Sequence, residues 1–197
     1  MYEYRKMTPE QQTEILRYRE SRGYPRHEPP HLHRVEGWFL ITAATYEHQA
    51  HFASNEDRLW LLAELFAELE AAQVRCSAWV VLPTHYHLLV NCCPLSVISE
   101  PLRRVHARTA RELNRREGIK GRQVWYRYVD RMIRNERHYY TTLNYIHYNP
   151  VKHDRVMGPL EWSCSSVHWY LEHKGIEWLR DAWRAYPVKD YGQGWDW

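Results

Sequence analysis

The order of expected elements, β-α-β-β-α-β-α, predicts an α+β domain: a ferredoxin-like, RRM-like split β-α-β antiparallel sheet with helices on one face. Three observations lead to it. Residues 37–46, "GWFLITAATY", form a β-branched and aromatic run. Residues 55–72, "NEDRLWLLAELFAELEAA", place Leu59, Leu62, Leu65, Phe66 and Leu69 at helical spacing. Two further apolar runs, "VRCSAWVVL" and "HYHLLVNC", are separated only by Pro83 and Thr84, a connection so tight that the strands must be antiparallel neighbours.

Along the chain, residues 1–36 read as an N-terminal arm, with one short helix expected over 9–21 and then Pro25, Pro29 and Pro30, which forbid regular structure. The first strand follows, then the helix from Asn55, its expected N-cap, with acidic residues in the first turn. After the paired strands, residues 96–118 predict a long helix with Pro101 in its first turn and Gly118 just past its end. "VWYRYVDRMI", 124–133, is expected as a fourth strand. A last helix is expected over 135–149, stopped by Pro150. Beyond Trp162 the chain shows no clear periodicity. Three regions result: the arm, a domain over 37–168, and a C-terminal extension, 169–197, packed on the core.

With 197 residues, one domain can bury a sizeable core. A net charge of only +3 means that any nucleic-acid binding must rest on where the arginines sit rather than on bulk charge. Cys76, Cys92, Cys93 and Cys164 form no C-x-x-C pair, which suits reduced thiols in a cytoplasm. The sequence has neither the apolar run of about 20 residues that a membrane helix needs nor a signal-peptide core, so a cytoplasmic protein without a membrane partner is expected. Ten tryptophans and fifteen tyrosines offer faces on which unpaired bases stack, although packing accounts for most of them.

Two His-x-His patterns occur among thirteen histidines, and about one is expected by chance. His31 and His33 lie in the proline-broken arm, where nothing fixes their rings. His85 and His87 lie on a strand, on one face, with Tyr86 and Leu88 on the other, a usable half-site for a divalent ion as well as an ordinary pair of surface histidines. On the last helix Tyr145 and Asn149 are i and i+4 and share a face, and the Asn149 amide oxygen is a candidate to complete a two-nitrogen, one-oxygen site. Asn149 also reads as a helix stop, and Tyr145 as one packed aromatic among fifteen.

Taken together, "WVVLPTHYHLLV", "WYRYVDRMIRN" and "YIHYNPVKH" resemble the single-tyrosine transposases of the HUH endonuclease superfamily, above all the transposases associated with repetitive extragenic palindromes (REPs). The resemblance covers about residues 37–168. It implies that His85, His87 and Asn149 hold Mg²⁺ or Mn²⁺ and that Tyr145 is the nucleophile, cutting single-stranded DNA beside a hairpin through a 5′-phosphotyrosine. It also implies palindromic repeat DNA as substrate and a monomer or homodimer. Asparagine at 149, where insertion-sequence relatives usually carry glutamine, favours the REP-associated branch, and Tyr86 departs from the usual aliphatic. Arg104, Arg108, Arg111 and Arg115 recur every three or four residues as one helical stripe, and with Arg131 and Arg134 they are expected to track phosphates. Two other readings stay open: a non-cleaving protein of this fold that binds repeat hairpins, and a zinc hydrolase that recruits His147 or His153.

Overall fold

The computed structural model describes residues 37–92, 94–193 and 195, together with Thr8, Pro9, Glu10, Thr13 and Arg17. The arm histidines His31 and His33, Cys93, and most of the expected helix over 9–21 lie outside the described residues. By their contacts, Met1–Val35 and Glu36–Trp197 are two separate compact units. In the first, Pro9, Glu10, Thr13 and Arg17 are helical, and the Thr13 hydroxyl donates to the Pro9 carbonyl at 2.8 Å.

The second unit contains strands β1 (Gly37–Ala44), β2 (Arg75–Val81), β3 (His85–Cys92) and β4 (Val129–Met132), and helices α1 (Asn55–Ala71), α2 (Ser99–Arg116), α3 (Glu136–Lys152), α4 (Val167–Lys174) and α5 (Ile176–Ala185). The strands form one antiparallel sheet in the order β2-β3-β1-β4, the split β-α-β topology in which β3 inserts between β1 and β2. Side chains alternate along β1 and β3. Phe39, Ile41, Leu88 and Val90 therefore face one core with Leu61, Leu65, Leu102 and Val105 of α1 and α2. Leu40, Ala78, Val80 and Leu89 face the other, with Leu143 and Ile146 of α3, Val167 of α4 and Leu179 of α5. Burial on both faces explains why β3 reads as an almost unbroken apolar run.

Four local expectations are corrected. Ser54, not Asn55, caps α1: its backbone is extended and its hydroxyl accepts from the Asp57 amide at 3.0 Å, while the Asn55 side chain accepts from Ser163. The fourth strand shrinks to Val129–Met132, because Trp125 makes only an isolated bridge to Thr45 and turns its ring into the core beside Phe52 and His106. Pro150 lies inside α3 instead of ending it. A proline removes one backbone donor, and here only the last turn follows, closed by the His153 amide on Asn149 O and the Arg155 amide on Pro150 O. The chain after Trp162 forms α4 and α5, short helices separated by Gly175 at a φ of +84°.

Candidate active site

The histidine pair sits at the start of β3, on the sheet face covered by α3, and both rings are buried. Burying an imidazole is costly unless its nitrogens find partners. Thr84, one residue upstream, lies 3.0 Å from Nδ1 of His85. Thr42, opposite His87 in the β1–β3 ladder, lies 2.8 Å from Nδ1 of His87. These threonines fix both ring orientations, and each Nε2 then faces α3. His85 Nε2 meets Asn149 Oδ1 at 2.9 Å, and His87 Nε2 meets the Tyr145 hydroxyl at 3.3 Å. The i, i+4 spacing of Tyr145 and Asn149 along α3 thus matches the i, i+2 spacing of the histidines along β3.

Three further groups complete the surroundings. His153, just past α3, puts its ring 4.8 Å from that of His85. Lys152 holds its ammonium 5.0 Å over the Tyr145 ring and donates to the Gly192 carbonyl at 2.8 Å. The third is the C-terminal segment, which covers Tyr145 so that only 1% of the residue is exposed. Tyr191 anchors this segment, its hydroxyl hydrogen-bonded to Thr142 at 2.6 Å and His138 at 2.9 Å. Gly192 then crosses the tyrosine ring so closely that a Cβ there would stand 2.2 Å from Cε2, and its φ of +81° also demands glycine. Trp195 packs edge-on to Tyr145 and lies under the Arg131 guanidinium, 3.8 Å away.

The donor set suits a hard or borderline divalent ion: two neutral imidazoles and an amide oxygen. The Nδ2 atom of Asn149 is buried without a partner among the described residues, so packing alone does not explain this amide. The three-ligand set that a zinc hydrolase would need is not formed: among the described residues no three His, Cys, Asp or Glu side chains group around one point. His147 turns away from this point to Ser166, 3.2 Å from its Nε2, and burial pushes its pKa down to about 3.

The arginine stripe lies elsewhere. Arg104 and Arg108 reach across from α2 to Glu68 and Glu64 of α1, on the sheet face opposite the histidines. Hydrogen bonding to Arg104 holds the Glu68 carboxyl below its ordinary range. Arg115 pairs with Glu112 along α2, and Arg111 is exposed. Arg131 lies on the histidine side, and the Arg134 amide donates to Nδ1 of His138 at the entrance to α3. Thr42, Thr84 and the tyrosine cover escape a reading of the sequence. Thr84 adjoins the motif, but Thr42 is 45 positions from its partner and is found only through the β1–β3 register.

Among solved structures, a REP-associated tyrosine transposase bound to a REP hairpin superimposes with a TM-score of 0.61 over 76% of this chain and 88% of that one, at 21% identity. This chain has that transposase's fold. A candidate transposase from Deinococcus radiodurans matches at a TM-score of 0.41 and 17% identity, over 60% of this chain and 95% of that one. No protein-family model and no curated protein matches the chain. No helix among the described residues is long and apolar enough to cross a membrane.

Proposed function

We propose that the chain is a single-tyrosine endonuclease and strand transferase of the HUH type, acting on single-stranded DNA beside hairpins of palindromic repeats. One observation carries this reading: the Tyr145 hydroxyl, both Nε2 atoms of the histidine pair and Asn149 Oδ1 converge from two elements far apart in sequence. The shared fold with a transposase solved on a REP hairpin supports hairpin DNA as the partner.

His85, His87 and Asn149 would hold Mg²⁺ or Mn²⁺, which supplies Lewis-acid polarisation of a phosphate oxygen when bound. Thr42 and Thr84 hold Nδ1 of each imidazole, so that both Nε2 atoms are turned towards α3. The Tyr145 hydroxyl releases its proton to solvent and its oxygen attacks phosphorus. The new bond joins that oxygen to the 5′-phosphate, the P–O3′ bond breaks, and the departing 3′ oxygen takes a proton to become a hydroxyl. Lys152 holds its ammonium over the Tyr145 ring, 5.0 Å from the ring centre. Because the phosphotyrosine conserves the ester bond, a 3′-hydroxyl can reverse the step or join a new strand without ATP. Arg131, on the same sheet face, is assigned to the single strand at the cut, with Arg134 beside it. The stripe of Arg104, Arg108, Arg111 and Arg115 is assigned to phosphates of the hairpin stem.

Purified protein with Mn²⁺ and stem-loop single strands tests the reading: a covalent protein–DNA adduct is expected in wild type and none in His87→Ala. The buried state of Tyr145 favours one other reading, a protein that binds hairpins without cutting them. Hairpin binding that survives His87→Ala, with no adduct from the wild type or from a chain ending at Tyr191, would establish that reading instead.

A further inference from the structure

A cavity of about 530 Å³ adjoins Tyr145, between α3 and the segment that follows α5. Aromatic rings form much of its wall: Tyr148 and Trp183 meet edge to face at 5.2 Å, and Tyr191 stands beside them. Lys152 and Lys189 line it together with one carboxylate, Asp190. Two of its lining residues carry buried polar atoms without a partner, Asn144 Oδ1 and Trp183 Nε1. Asn144 is 1% exposed, and its Nδ2 donates at 2.8 Å to the carbonyls of both Ala182 and Tyr186, which fixes the amide and commits Oδ1 to accepting. The cavity therefore combines stacking faces with two lysines and one carboxylate, and its wall holds one unmet acceptor and one unmet donor.

We propose that this cavity is a nucleotide pocket that takes one unpaired base, the neighbour of the phosphate attacked by Tyr145. An unpaired base presents donors and acceptors side by side on its edge, stacks on aromatic rings whatever its identity, and brings a phosphate for a lysine. An apolar ligand would leave Asn144 and Trp183 unmet. The tyrosine links the two sites: its hydroxyl faces His87 and its ring lines the cavity. A strand whose phosphate meets that hydroxyl therefore has its adjoining base at the cavity. Tyr191 is held by Thr142 and His138, so of the lining residues Gln193 alone is lost when the chain beyond Tyr191 swings clear of Tyr145.

The pocket rests on the proposed DNA-cleaving function, and its test separates the two. Full-length Tyr145→Phe protein, without added metal, is irradiated with stem-loop single strands whose randomised flanks contain 5-iodouracil and 8-bromoadenine. Crosslinks to Tyr148 or Trp183 are expected. In wild type with Mn²⁺, an abasic site at the one position beside the cut is expected to slow adduct formation at least tenfold. Crosslinks confined to residues outside the lining, or an adduct rate unaffected by every abasic position beside the cut, overturn the pocket. Adduct formation without those crosslinks leaves the cleavage reading intact and removes the pocket; the crosslinks without any adduct do the reverse.

Discussion

The Tyr145 hydroxyl shares a hydrogen bond with His87 at 3.3 Å, and the packing of its ring does not depend on that bond. Tyr145→Phe should therefore change folding stability by about 1 kcal/mol or less while abolishing adduct formation. Urea denaturation and adduct formation, measured on the same protein, check both halves. His106 gives a second prediction at this scale. Its ring stacks on Trp125 at 4.5 Å and bonds the Tyr86 hydroxyl, and burial pushes its pKa from 6.5 down to about 4. Between those values the unfolded chain binds more protons than the folded one, so stability present above pH 6.5 drains away as pH falls towards 4. Lowering the pH from 6.5 to 5 should cost on the order of 1 kcal/mol through this residue. The urea midpoint of His106→Gln should fall correspondingly less over that interval, and an equal fall would refute the assignment. The histidine pair, Tyr145 and Asn149 were legible in the sequence because each spacing acts within a single element, two along a strand and four along a helix. That the two pairs meet was expected from the family resemblance and not from either spacing, since it depends on α3 covering that face of the sheet.

At the scale of elements, the C-terminal segment covers Tyr145, the proposed nucleophile. Gly192→Val would place side-chain atoms where the Tyr145 ring already lies and would strain a φ of +81°. The segment beyond Tyr191 should lift away. Adduct formation in Gly192→Val, or in a chain ending at Tyr191, should run several-fold faster than in wild type, with a thermal transition of the core changed little. A slower reaction in both would mean that the segment assists the chemistry. This cover was illegible for a physical reason: its contacts join residues about fifty positions apart through aromatic edges, which impose no periodicity. Pro150 misled in the same way. Local stereochemistry argues for a stop there, yet a proline in the last turn of a buried helix loses only one hydrogen bond.

At the scale of the whole molecule, both sheet faces are covered: one by α1 and α2, tied by Arg104, Arg108, Glu64 and Glu68, the other by α3, α4 and α5. The α+β class and the split topology followed from element order and the tight β2–β3 connection. The two-helix extension did not, because α4 and α5 are too short to announce themselves. Because the stripe faces away from the histidines, its role in DNA binding would be separate from cutting. Arg111→Ala and Arg115→Ala should each lower the slope of log hairpin affinity against log salt by about one, with the adduct rate at saturating DNA unchanged. A slope unmoved by both would take the stem off this helix. The central claim is that Tyr145 itself joins the DNA, and peptide mapping of the covalent adduct by mass spectrometry tests it most directly. A nucleotide phosphate attached to Tyr145 through its 5′ oxygen is the expected result, and attachment to any other residue, or no adduct even from the chain ending at Tyr191, would contradict it.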